Sequence, residues 1–228
     1  MIILAADTTT PSGSVAFFRD ADLIGEIDLE SPSTHSARLL KAIDFLIRAA
    51  GLDIRDVDGF AVAAGPGSFT GIRIGLAAIK SLAYASGRPA VPVSTLEALA
   101  WKLAGPQNGL VCPILDAKKG EIYGALFEAG ESLGPEIIPQ GAYDPAAFFA
   151  RLPAGRIVSF IGGGLDVYRE LLPPRLKDKA RFPLRSPFIA AEVGRLGFAA
   201  LRAGKGIDSR SLEPLYFRKS QAEENKSQ

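Results

Sequence analysis

Cysteine and histidine are almost missing from this chain: Cys112 is the one cysteine and His35 the one histidine. A single cysteine excludes an intrachain disulfide and a cysteine-rich zinc site. Its place in the apolar run 110–115 points to a buried thiol. A single histidine excludes any two-histidine metal motif within one chain, the zinc-peptidase pattern H-E-x-x-H included. A Ser-His-Asp set survives that count, but no G-x-S-x-G elbow accompanies it. His35 itself reads as a surface residue opening a helix. Long apolar runs are lacking too. No window approaches about 18 uninterrupted apolar residues, so no membrane span is expected. Met1 to Ala6 is apolar but short, and Asp7 interrupts it, so a signal peptide is not expected either. Nor is there a charge excess: 26 Lys+Arg stand against 25 Asp+Glu. That balance argues against a whole surface built to grip a polyanion. The expectation is a cytoplasmic protein with no metal site.

What is present is apolar residue, glycine and proline. The 228 residues are 47% hydrophobic, with 24 Gly and 16 Pro, which suits short strands and turns around a sizeable core. Residues 2–6, 14–18 and 23–29 read as strands joined by short polar links. From Ser36 to Ala50 the period becomes helical, with Ser33 or Thr34 as cap and Gly51 as stop. A strand at 59–64, a helix at 71–85, a strand at 89–93 and a short helix at 95–103 follow. The second half partly repeats this order. Strands are expected at 110–115, 121–128, 136–139 and 157–161, helices at 145–151, 165–172 and 187–203. Two such halves point to an α/β protein with two ribonuclease-H-like lobes, as in the actin-like superfamily. The expected lobes are 1–105 and 106–220, meeting near Gly105–Gly109. The last helix is expected near the lobe junction, and the polar residues 221–228 as a mobile tail.

Two segments invite chemistry. Asp7, Thr8 and Thr9, followed by Thr10-Pro11-Ser12-Gly13, close the first strand; a carboxylate and hydroxyls there could hold a metal-bound phosphate. Local turn hydrogen bonds are the competing reading, and the favoured one. The string from Gly65 to Gly75 includes Gly67 and Gly71 and leads into a helix that Thr70 could cap. It is neither a Walker A loop nor a dinucleotide fingerprint. As a phosphate loop its support is weak; as a close-packing strand-to-helix turn it is good. Gly162, Gly163 and Gly164 form a similar turn in the second half.

The chain resembles the bacterial TsaB (YeaZ) proteins. The resemblance rests on Asp7-Thr8-Thr9, the string Gly65–Gly75, Pro92-Val93-Ser94-Thr95-Leu96-Glu97, the stretch from Leu115 to Tyr123, and Pro214-Leu215-Tyr216-Phe217-Arg218-Lys219. It covers nearly the whole chain and is strongest over residues 1–125. It implies a paralogue of the threonylcarbamoyl-transferring enzyme TsaD, once grouped with it as glycoprotease or M22 peptidase homologues. It further implies a partner that binds and activates TsaD, together with the ATPase TsaE, in forming N6-threonylcarbamoyladenosine at position 37 of tRNA. The enzymatic relatives hold a metal through H-x-x-x-H on one helix, a spacing that puts both side chains on one face. One histidine cannot supply it, so the chain is expected to be non-catalytic on its own.

Within that resemblance, nucleotide affinity is expected to be weak or lost and no cofactor is expected. Asp7, Thr8, Thr9, Gly65, Gly67, Gly162, Gly163 and Gly164 are the residual nucleotide- or phosphate-binding set. The two apolar helices are the expected docking surface, since TsaB-type proteins dimerise and bind the enzyme through this pair. The residues named for it are Leu39, Leu40, Ile43, Leu46, Ile72, Arg73, Leu76, Ile79, Lys80 and Ala83, whose stripes are wider than a sheet needs. Helices of about 15 residues are about 22 Å long and could meet a partner over the usual ~800 Å² per side. A homodimer is expected in isolation, and tRNA contact only within the complex. A charge at Leu76 or Leu39 is expected to split the dimer. Two other classes compete: a stand-alone actin-like ATP-dependent phosphotransferase using Asp7, and an RNA-binding module using the modestly basic stretch 169–185, which reads first as a solvated surface.

Overall fold

The computed structural model describes residues 1–30, 35–105, 109–176 and 178–218, without the side chains of residues 35–37. The expected caps Ser33 and Thr34, the side chain of His35 and the tail 221–228 lie outside the described residues. The chain forms two compact units, Met1–Ala98 with Phe188–Leu215, and Leu99–Pro187 with Tyr216–Gln228. The division therefore falls after Ala98 rather than at Gly105–Gly109, and the last helix joins the first unit.

In the first unit β1 (Ile2–Asp7), β2 (Gly13–Arg19), β3 (Asp22–Leu29), β4 (Gly59–Gly65) and β5 (Ala90–Ser94) form one sheet in the order β3-β2-β1-β4-β5. β1 is antiparallel to β2 and parallel to β4, with Ile3 opposite Phe18 and Gly59. β1 is central and buried from Ile3 onward, as its continuous apolar run predicts. Alternation sorts its side chains. Leu4 and Ala6 join Val15, Phe17, Phe60 and Val62 in a core closed by α1 (His35–Ala49) and α2 (Phe69–Ser86). The opposite face meets α6 (Ala190–Arg202). A side chain at Gly194 would run into the Phe18 ring, and one at Gly197 into Ala61, so these small residues let the helix lie directly on the sheet. Its start is fastened by the sheet as well: Ala190 N–H donates to Ser14 Oγ (3.0 Å) and Ala191 N–H to Glu26 Oε1 (3.2 Å). That packing is why the closing helix belongs to the first unit.

The second unit repeats the topology. β6 (Gly109–Lys118), β7 (Glu121–Ala129), β8 (Leu133–Tyr143), β9 (Val158–Ile161) and β10 (Ala180–Arg181) pair as β10-β9-β6-β7-β8. Two of its strand pairs are antiparallel and two parallel, as in the first sheet. This is the expected ribonuclease-H-like arrangement, present twice. β8 outruns its predicted span because its prolines, Pro135 and Pro139, sit on an edge strand that tolerates a missing donor. β10 is too short to leave a pattern. The core gathers Leu110, Cys112, Ile114, Leu126 and Phe160 with Phe148 and Phe149 of α4 (Pro145–Arg151). Phe149 meets Phe160 edge-on, and Phe160 stacks on Phe182 with centroids 5.6 Å apart. The expected helix at 165–172 is a single turn, α5 (Leu165–Tyr168), followed by a 3-10 turn, since Pro173 and Pro174 forbid continuation. α3 (Thr95–Trp101) opens on Ser94, whose Oγ accepts from Glu97 N–H (3.3 Å). No described helix is long and apolar enough to cross a membrane.

Candidate functional site

Each repeat carries an aspartate at or near the end of its leading strand, Asp7 closing β1 and Asp116 just before the Lys118 that closes β6, and follows its fourth strand with glycines. In the first repeat this corner is packed shut. Asp7 is fully buried; its Oδ1 accepts from Thr9 N–H (2.8 Å) and Thr9 Oγ1 (2.7 Å). Its Oδ2 has no hydrogen-bond partner among the described residues. Burial, only partly offset by the Thr9 bonds, pushes the carboxyl up to about 6. The cavity beside it, lined also by Thr8, Ser14, Leu29, Arg38 and Leu39, measures about 10 Å³, room for one water at most. The start of α2 closes the other side. Ser68, not Thr70, is its cap, with Oγ accepting from Gly71 N–H (3.2 Å). Ser68 N–H donates to Thr9 O (2.7 Å), and Thr8 Oγ1 donates to Gly71 O (2.7 Å). A side chain at Gly67 would strike Thr9 O, and one at Gly71 the Thr8 carbonyl oxygen. The glycine string thus brings a helix end against a strand end, with Thr8 and Thr9 packed directly on it.

The second repeat leaves the equivalent corner open. Asp116 accepts Lys118 N–H (2.8 Å) and pairs with Lys118 Nζ (2.7 Å); Tyr168 Oη lies 3.4 Å from its Oδ1. Burial works to raise this carboxyl, but the Lys118 hydrogen bonds and charge outweigh it and hold it below the ordinary value. Lys118 and Lys119 take left-handed backbone at φ 63 and 55. Gly162 packs on Ile114 O, Gly164 N–H donates to Ile114 O (3.0 Å), and Gly163 faces open space. The structure thus gathers Asp7, Thr8, Thr9, Gly65 and Gly67 in one unit, and Gly162, Gly163 and Gly164 beside Asp116 in the other. Among the described residues no group of three or more His, Cys, Asp or Glu is arranged to hold a metal.

The helix pair needs correction. Leu39, Ile43, Leu46, Ile72, Leu76, Ile79 and Ala83 are all buried in the first unit's own core. They face the sheet because the deepest line of an amphipathic stripe covers the nearest apolar surface first. A charge at Leu39 or Leu76 would disrupt that core rather than test an interface. Lys80 is also occupied internally, donating to Arg210 O (2.9 Å) and Leu212 O (3.5 Å). Leu40 and Arg73 do face outward, and Arg73 lies over the Phe69 ring at 3.7 Å. The outer face of the pair was otherwise missed. On α1 it carries Phe45, 65% exposed, and on the other flank of the buried stripe Leu40 at 54%. On α2 it carries Tyr84, 71% exposed, with Ala77 between it and Arg73, and the half-buried line Ile74, Ala78, Leu82 along its flank. Spacing of three and four from Arg73 through Ala77, Ser81 and Tyr84 was the signal available for this face.

A family model described as the tRNA N6-adenosine threonylcarbamoyltransferase TsaD matches residues 30–226. The tRNA threonylcarbamoyladenosine biosynthesis protein TsaB of Bacillus subtilis is 29% identical over 98% of this chain and 96% of its own length. TsaB of Escherichia coli is 35% identical over 58% of this chain and 57% of its own. The chain belongs to the TsaB (YeaZ) family, within the group the TsaD model describes. A crystal structure of a Pseudomonas aeruginosa protein with similarity to peptidase YeaZ superposes with a TM-score of 0.80 at 27% identity, over 95% of this chain and 99% of that one. Component A of the Acidaminococcus fermentans (R)-2-hydroxyglutaryl-CoA dehydratase superposes at 0.53 with 8% identity, over 89% and 99%. That likeness concerns the fold alone, which is actin-like.

Proposed function

We propose that this chain is a non-catalytic subunit in N6-threonylcarbamoyladenosine formation on tRNA, and that it activates a TsaD-type catalytic paralogue by docking on it through the outer face of α1 and α2. Membership of the TsaB family supports the pathway. The observation that carries the docking is the exposed set Leu40, Phe45 and Tyr84 on adjacent helices whose inner faces are already satisfied. Large apolar side chains left outside a complete core mark an association surface. The same face pairs two copies when the paralogue is absent, so self-association competes with docking. A TsaE-type ATPase joins the assembly, and tRNA is met within it.

The chain itself contributes no reacting group. Its role in the mechanism is to hold the paralogue in its active arrangement, with free energy supplied by burying α1 and α2. A stand-alone phosphotransferase finds less support, because Thr8 and Thr9 occupy the start of α2 and the space at Asp7 is the size of one water. Reconstituting the modification with a TsaD-type subunit, a TsaE-type ATPase and tRNA tests the proposal. Product should form with this chain, fall at least tenfold without it, and stay low with Phe45→Glu/Tyr84→Glu. Full activity without the chain, or with the double variant at unchanged assembly, would refute it.

A further inference from the structure

Segment 169–185 holds six Lys or Arg against Glu170 and Asp178, in a chain of formal net charge +1. The fold uses these cations unequally. Arg175 is spent internally: its guanidinium donates to Leu152 O (2.8 Å), Ala150 O (2.8 Å) and Phe149 O (3.3 Å), closing the end of α4. Lys179, Arg181 and Arg185 have no such task. All three are exposed, and none pairs with a carboxylate among the described residues. Arg181 and Arg185 donate only to carbonyls of their own neighbourhood, Asp178 and Ala180 in one case and Leu184 in the other.

Their placement is set by the sheet. β10 is an edge strand, parallel to β9. Ala180 and Phe182 turn into the core, so alternation puts Lys179 and Arg181 on the other side of the strand. Phe182 is pinned between Phe160, at 5.6 Å, and the guanidinium of Arg169, at 3.9 Å, so Arg169 covers the ring from outside. Leu184, 94% exposed, separates Arg181 from Arg185. Among the described residues the edge is thus rimmed by exposed cations without ion pairs, with the exposed Leu184 following it in the chain.

We infer that the β10 edge, through Lys179, Arg181 and Arg185 with Arg169, contacts the phosphate backbone of RNA. The inference rests on the proposed role in tRNA modification for the identity of the RNA. Charge complementarity carries it. Uncompensated cations on a surface favour a polyanion that releases counterions, and an acidic protein face is the alternative the test must separate. Asp166, Glu170 and Asp178, exposed and nearby in sequence, offset part of that charge. This is a backbone contact, and it carries no base specificity.

The test compares wild type with Lys179→Gln/Arg181→Gln/Arg185→Gln and with the corresponding Glu variant, each assembled with a TsaD-type subunit. Assembly mass is read by light scattering, and tRNA affinity by filter binding between about 50 and 200 mM salt. Circular dichroism checks folding, and the Gln variant carries the test if the Glu variant unfolds. With mass unchanged, tRNA affinity should fall about tenfold or more, and the log–log salt slope should shrink by about 2–3. Unchanged affinity and slope at unchanged mass would overturn the inference and leave the docking proposal standing. Loss of the assembly would assign the edge to a protein contact and likewise overturn it. Should wild type fail to assemble at all, docking fails, and the lone chain decides: salt-sensitive tRNA binding lost in the variants upholds the edge, and its absence overturns it.

Discussion

The two repeats share one strand order and place an aspartate and a glycine turn at matching corners, yet treat them in opposite ways. Asp7 is entombed with half its carboxyl unpartnered, and the glycines beside it admit Thr8 and Thr9. Asp116 lies near the surface, paired with Lys118, and Gly163 beside it meets nothing. The same corner is a close-packed brace in one unit and an open turn in the other. The covering helices differ as well. The first unit has α1 and α2 on one face and α6 on the other, and so can present an outer helix surface without exposing its core.

The comparison breaks most sharply at the glycines. Gly71→Ala should cost about 3 kcal/mol or more, because its Cβ would meet backbone that cannot move aside. Gly163→Ala should stay within about 1 kcal/mol of wild type. Equal effects in urea denaturation would show that the first corner is not tightly closed.

The aspartates give the next contrast. Asp7 rises from 3.8 to about 6 on folding, so its protonated form is the one the fold favours. Its contribution is complete below the unfolded value and is lost as pH rises through about 6. At about 1.4 kcal/mol per pH unit, the cost of ionising it reaches about 3 kcal/mol above about pH 7. Asp7→Asn should therefore stabilise the protein near neutral pH and flatten the decline between about pH 4 and 6. Asp116 is held below its ordinary value, so its contribution is already present in that window and is lost only as pH falls below it. Asp116→Asn should leave the slope untouched and change stability by about 1 kcal/mol or less. A slope that persists in Asp7→Asn would remove Asp7 as its source.

A smaller effect separates cations within the second unit. Arg175→Ala should cost about 1–2 kcal/mol through the lost bonds to the carbonyls at the end of α4, whereas Arg181→Ala should cost less than about 0.5 kcal/mol. Similar losses in thermal melts would mean that the edge cations are structural too.

Much of this fold can be read in the chain, and the gaps have physical causes. The run Ile2–Ala6 and the period of Leu39, Ile43 and Leu46 announce a central strand and an amphipathic helix. Periodicity marks a face as apolar without saying what covers it, so the same leucines suited a core and an interface equally. Phe45 and Tyr84 escaped notice because they sit on the side that the stripe assigns to solvent. The closing helix was placed near the lobe junction although Gly194 and Gly197, three apart, are the signature of close approach to a sheet. β10, two residues long, leaves no period to detect, and its significance lies in neighbours whose partners only three dimensions reveal. The glycine string reads as a close-packing strand-to-helix turn, and Gly67 and Gly71 do pack on Thr9 and Thr8.

The central claim is that α1 keeps its core and its docking surface on separate faces. It is tested most directly by comparing Leu39→Ala with Leu40→Glu, measuring both unfolding free energy and assembly mass with a TsaD-type subunit. Leu39→Ala should lose about 2–5 kcal/mol while the folded fraction still assembles. Leu40→Glu should keep its stability and lose assembly. Intact assembly in Leu40→Glu at full stability would contradict the account.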